Sequence, residues 1–167
     1  MKNELTKKDI ARLEEEIEYR KLVVRKEAIE AVKEARAQGD LSENFEYKAA
    51  KQEKNRNESR IRYLEKMIKT AIIIDDTSGE DEVGINNTVT VVFDDDGSEE
   101  KYKIVTTIRS DSLKGLISIE SPLGKALMHH KKGERVHVVV DDNISYFATI
   151  KDIDKTTDDS QDELNAY

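Results

Sequence analysis

The chain has no proline or glycine before Gly39, and none again until Gly79. Two stretches of that length, joined at one glycine, point to long helices, because Gly and Pro are the residues that most readily end one. The apolar pattern agrees. Ile10, Leu13, Ile17, Val24, Ala28, Ala31 and Ala35 fall on one helical face, with Lys21 the exception among them. Leu5-Thr6-Lys7-Lys8-Asp9-Ile10 marks the start. Thr6 can cap the free N–H groups, Asp9 suits the helix dipole, and Leu5 and Ile10 have the spacing of a hydrophobic staple. The second run is expected from about Ser42 to Ile73, with Ala50, Asn57, Ile61, Leu64 and Ile68 as its seam. Each helix has one apolar stripe, so the pair predicts an antiparallel hairpin in which the stripes bury each other. About 30 residues at 1.5 Å each give a rod roughly 45 Å long.

After Ile74 the pattern changes. Residues 76–82 are acidic and contain Gly79, and they read as a linker after a coiled coil spanning 1–75. From Val83 the apolar period falls to two. Candidate strands are Thr88–Phe93, Lys101–Ile108, Leu116–Glu120, Arg135–Val140 and Ser145–Ile153, with Asp96-Gly97 as a hairpin turn. Ser121 is a good N-cap, and Pro122 fits the first position of a short helix. The prediction is an α+β protein: a helical hairpin, then a small α+β domain over 83–153. The tail, 154–167, is polar and acidic and is expected to be disordered.

Charge separates the two modules. Residues 1–74 carry 18 Lys and Arg against 15 Asp and Glu, or +3; residues 75–167 carry 10 against 21, or −11. This asymmetry suggests different surfaces and different partners. The overall charge of −8 counts against nonspecific DNA binding. With no cysteine, a disulfide framework and a thiolate metal site are excluded. No run approaches the ~20 apolar residues of a membrane span, and the opening lacks a signal peptide's apolar segment, so no membrane partner and a cytoplasmic location are expected.

Chemistry could sit at the hairpin tip. Asp40 and Glu43 are three residues apart at a helix start, so both carboxylates can lie on one side of the turn. Carboxylates bind hard cations such as Mg²⁺, but two ligands make a weak site, and a second macromolecule would have to complete it. The same spacing is also that of a capping box, and that reading stands beside the first. The second helix carries a basic face. Lys48, Lys51, Arg62, Lys66 and Lys69 fall within an arc of about 60°, opposite the seam. Such a face can follow an RNA backbone, meet an acidic protein wall, or simply be solvated. His129 and His130 are adjacent and cannot share a helix face, and Asp94-Asp95-Asp96 is better explained as a turn. No phosphate loop or nucleophile triad is present, so the chain does not read as a self-sufficient enzyme.

The run Gly39-Asp40-Leu41-Ser42-Glu43-Asn44-Phe45-Glu46-Tyr47-Lys48-Ala49-Ala50-Lys51 resembles the coiled-coil tip signature of the GreA/GreB family. A second block, Ile117 to Leu127, resembles that family's C-terminal signature, and Leu5-Thr6-Lys7 and Val83-Gly84-Ile85 also fit. The resemblance covers about residues 3 to 153 and is closer to the GreA branch. It implies a coiled coil followed by an FKBP-like domain. It also implies an accessory factor that enters the secondary channel of bacterial RNA polymerase and stimulates cleavage of a backtracked RNA 3′ end. Asp40 and Glu43 would then be the catalytic acids, holding Mg²⁺ jointly with the polymerase. Ser42 and Asn44 would support the turn. Lys48, Lys51, Arg56 and Arg60 would contact RNA or the channel. Ser121, Pro122, Leu123 and Gly124 would dock on the polymerase. Phe45, where Ala is common, and Met128-His129-His130, in place of a Gly-containing turn, depart from the pattern.

Three other readings compete. A related paralogue would enter the same channel and inhibit, but the tip lacks a cluster of extra acids. A coiled-coil adaptor would need neither tip acid. A prolyl isomerase would need aromatic walls, for which the C-terminal domain offers mainly Phe93, Tyr102, Tyr146 and Phe147.

Overall fold

The computed structural model describes residues 3–39, 44–156 and 162–165. The chain forms two compact units, Met1–Ile73 and Ile74–Tyr167.

In the first unit, strand β1 (Glu4–Leu5) leads into helix α1 (Lys7–Tyr19), a π turn (Arg20–Val24) and helix α2 (Arg25–Ala37). Helix α3 (Phe45–Lys69) runs back alongside, and β2 (Ile72–Ile73) pairs in parallel with β1. The capping box forms in both directions: Asp9 N–H donates to Thr6 Oγ1 at 3.1 Å, and Thr6 N–H donates to Asp9 Oδ2 at 3.0 Å. Leu13, Ala35, Ile61 and Leu64 are buried on the seam.

Periodicity does not predict the π turn, which shifts the seam locally while Ala28 and Ala35 keep their inward places. A π turn holds one more residue than an α turn, so the apolar face arrives one position late at Val32. Ala31, expected on the seam, is exposed, and Val32 is half-buried in its place. The middle of the hairpin is polar. Arg20 donates to Asn57 Oδ1 at 3.0 Å, and Glu16 accepts from Arg20 Nε at 2.7 Å and Arg60 Nε at 2.9 Å. Arg25 meets both oxygens of Glu58 at 2.9 Å, a bidentate pair. Burial pushes the Glu16 carboxyl up, but the Arg60 and Arg20 hydrogen bonds and charges prevail and hold it below its ordinary value.

The second unit is a five-stranded mixed sheet in the order β5-β4-β3-β7-β6. The strands are β3 (Thr88–Phe93), β4 (Glu99–Val105), β5 (Leu116–Ser118), β6 (Arg135–Val139) and β7 (Ser145–Asp154), with helix α4 (Pro122–Leu127) between β5 and β6. Neighbouring strands are antiparallel except β4 with β5. Period-two alternation sends Val89, Val91, Val136, Val138, Ala148 and Ile150 into the core, where Leu123 and Leu127 of α4 join them.

Two boundary expectations change. Residues 76–82, read as a linker, lie within the second unit, where Lys155 Nζ donates to Ser78 Oγ, Glu82 O and Asn87 Oδ1 at 2.7–2.8 Å. Residues 162–165 of the tail, expected to be disordered, are bonded to the second unit through Asp162 and Asn165. Fixed ion pairs and backbone bonds offset the ordering cost that the polar composition alone suggested would prevail.

Candidate functional site

Asp40 and Glu43 lie outside the described residues, as does Ser42; the structure describes the frame around them. Helix α2 ends at Ala37, and Gly39 takes a φ of 143°, a conformation open to glycine. Asn44 bridges the two helices. Its Oδ1 accepts from Tyr47 N–H at 2.9 Å, capping α3, while its Nδ2 donates to the Ala35 carbonyl at 2.6 Å, near the end of α2. One side chain thus caps the start of α3 and ties it to the last turn of α2, whose Ala35 carbonyl also accepts from Gln38 N–H at 3.3 Å.

Arg36 and Tyr47 flank this bridge. Arg36 Nη2 donates to the Tyr47 hydroxyl at 3.3 Å, and its guanidinium lies 5.4 Å from the ring centre. The Arg36 hydrogen bond, with the charges of Lys51 and Lys54, holds the Tyr47 phenol below its ordinary range. Phe45 is 80% exposed, with Lys48 Nζ 5.7 Å from its ring centre. A large exposed aromatic beside the tip has no packing role within the unit.

The basic residues divide. Lys48, Lys51, Arg62, Lys66 and Lys69 are exposed along α3. Arg56 is exposed but paired with Glu53 at 2.6 Å. Arg60 departs from the expectation that it contacts RNA or a channel wall. It is only 6% exposed and turned into the hairpin, where it meets Glu16. Arg60 lies one position before Ile61 of the seam, so its side chain follows the apolar face rather than the outer stripe.

The block Ser121–Gly124 also divides. Ser121 Oγ accepts from Gly124 N–H at 3.1 Å and donates to the Ser118 carbonyl at 2.6 Å, so it caps α4 and ties it to β5. Pro122 is exposed. Leu123 and Gly124 are buried and cannot themselves touch a partner. A Cβ at Gly124 would sit 2.0 Å from the Ser118 carbonyl oxygen, so only glycine lets α4 approach β5 this closely. Phe93 packs on Tyr102 and Tyr146, with ring centres 6.4 and 5.8 Å away. Among the described residues no three His, Cys, Asp or Glu side chains gather to hold a metal ion, and no helix is long and apolar enough to cross a membrane.

Sequence comparison matches residues 3–73 to the family model "Transcription elongation factor, N-terminal" and residues 78–155 to "Transcription elongation factor, GreA/GreB, C-term". The chain is similar to Transcription elongation factor GreA of Bacillus subtilis, 48% identical over 127 residues that cover 76% of this chain and 81% of that one. It is 49% identical over 138 residues to the GreA of Caldanaerobacter subterraneus subsp. tengcongensis, covering 81% and 87% of the two chains. Among solved structures, the Gfh1 protein of Thermus thermophilus matches at 28% identity and a TM-score of 0.42, over 92% of this chain and 99% of that one.

Proposed function

The chain belongs to the GreA/GreB family of transcription elongation factors, and from that premise we propose that it enters the secondary channel of bacterial RNA polymerase and stimulates the polymerase's own hydrolysis of backtracked RNA. It acts as an accessory factor in the cytoplasm, with the polymerase and the extruded RNA 3′ end as its partners. The observation that carries this reading is the Asn44 bridge, which holds Ala35 and Tyr47 on either side of the segment containing Asp40 and Glu43.

Both acids offer hard oxygen ligands, the donor type Mg²⁺ takes. Two carboxylates are too few for a stable site, so the polymerase supplies the remaining ligands. Asp40 and Glu43 would hold the ion together with the polymerase, and an ion so held would supply Lewis-acid chemistry for hydrolysis of a phosphodiester. The protein's contribution is positional. The Asn44 bridge ties together the two helix ends that flank the acidic segment, and a narrow pair of helices can enter where a globular domain cannot go. Lys48 and Lys51, exposed on the first two turns of α3, meet the phosphates of the extruded RNA or the channel wall. Pro122, with Ser121 behind it, forms the exposed part of the docking block.

The test uses backtracked elongation complexes with 3′-labelled RNA, matched polymerase and Mg²⁺. Wild-type protein should release short 3′ fragments, and the Asp40→Ala/Glu43→Ala protein should bind without releasing them. Equal release by both would reduce the acids to helix caps. Binding without release by either would indicate the inhibitory paralogue.

A further inference from the structure

The C-terminal tail is strongly acidic, with Asp154, Asp158, Asp159, Asp162 and Glu163 against a single Lys155. Asp162 is held at a defined place. Its Oδ2 accepts from Lys103 Nζ of β4 and from Arg109 Nη1 just after β4, both at 3.0 Å. All three side chains are withdrawn from solvent: Lys103 is 11% exposed, Arg109 0% and Asp162 8%. Three residues later Asn165 repeats the attachment in neutral form. Its backbone N–H donates to the Ile108 carbonyl at 2.7 Å, and its Nδ2 donates to the Thr107 carbonyl at 2.8 Å. A carboxylate shared by two cations with two adjacent amide bonds is a recognition pattern, because charge-assisted bonds need specific geometry to repay desolvation.

The attachment lies next to the docking block through a short chain of contacts. Thr107 Oγ1 is 2.6 Å from Ser118 Oγ, and Ser118 O receives the Ser121 hydroxyl at 2.6 Å. A tail resting on Thr107 and Ile108 therefore sits two side chains away from the cap of α4.

We propose that Lys103 and Arg109 form a binding site for the carboxylate of an acidic peptide segment, that the protein's own residues 162–165 fill it in cis, and that docking on polymerase competes with this tail. The competition rests on the docking reading above; the carboxylate site does not. Pro122 is exposed with the tail down, so the competition arises where a partner's footprint extends from Pro122 over Thr107 and Ile108, and there the tail lowers apparent affinity by the fraction of time it is down.

The test compares wild type, a chain ending at Thr156, and full-length Asp162→Ala/Asn165→Ala, each titrated against core RNA polymerase. The shortened chain keeps β7 and the Lys155 contacts; the full-length variant covers the case in which shortening harms folding. Both variants should bind about tenfold tighter if the tail is down about nine-tenths of the time. A synthetic peptide of residues 157–167 added to the shortened chain should shift the amide NMR signals of Lys103, Thr107 and Arg109. Equal affinity of all three proteins would overturn the competition. A peptide that leaves those signals unmoved would overturn the carboxylate site. If no version bound polymerase, the docking reading and the competition would both fall, and the peptide titration alone would decide the site.

Discussion

His129 has a φ of 67°, in the left-handed region where a β-carbon crowds the backbone. This is the position where the sequence departs from a Gly-containing turn. Its backbone is well anchored, since its N–H donates to the Val83 carbonyl at 3.0 Å. His129→Gly should therefore stabilise the second unit by about 0.5–1 kcal/mol, the relief of crowding exceeding glycine's extra unfolded-state entropy. Thermal unfolding of the two proteins checks this; an unchanged or lower midpoint would show that the histidine ring contributes more than its backbone costs. Arg60 illustrates the limit of residue-level reading. The family resemblance implied that it contacts RNA or the channel, but its burial beside Glu16 makes it part of the hairpin's interior.

At the scale of elements, α4 depends on one missing methyl group. Gly124→Ala would place its Cβ 2.0 Å from the Ser118 carbonyl oxygen, a backbone atom that cannot swing aside. The helix must then move off β5, disturbing Leu123 and Leu127 in the core. We expect a loss of about 1–3 kcal/mol, read as a lower urea midpoint, together with weaker polymerase binding. Full stability in this variant would mean that α4 can shift without cost. The π turn belongs to the same scale. Alternation at steps of three and four predicted one long helix, and one helix runs from Lys7 to Ala37, but beyond the extra residue at Arg20–Val24 Val32 replaces Ala31 on the seam while Ala35 stays on it.

Across the whole molecule, several carboxylates are held below their ordinary values. In the hairpin these are Glu16, where the Arg60 and Arg20 contacts outweigh burial, and Glu58, through its Arg25 hydrogen bonds. In the second unit they are Asp76, where Ser78 outweighs burial, Asp96 through Ser98, Glu134 through His130 and Asp154 through Thr156. A depressed folded-state pKa contributes stability that is complete above the unfolded value and lost as pH falls through the folded one. The ordinary values are 4.5 for Glu16 and 3.8 for Asp76, so stability should hold at neutral pH and decline below pH 4.5. Melting curves from pH 7 to 3 test this, and Glu16→Gln should flatten the hairpin's share of the decline. A midpoint that rises on acidification would refute it.

Sequence alone determined the two-helix hairpin, the capping box at Thr6 and Asp9, the five strands and the family, because these follow from local periodicity, turn chemistry and contiguous motifs. It also marked Asp40 and Glu43, by residue type and spacing. Tertiary structure decided what periodicity cannot carry. The seam's shift from Ala31 to Val32 depends on a π turn stabilised across the hairpin. The burial of Arg60 depends on Glu16, 44 residues away. The docking of the tail depends on Lys103 and Arg109, 59 and 53 residues from Asp162. Each rests on long-range polar contacts, in the last two cases pairs of charges, whose energy depends on distance and solvent exposure, which exist only once the chain has folded.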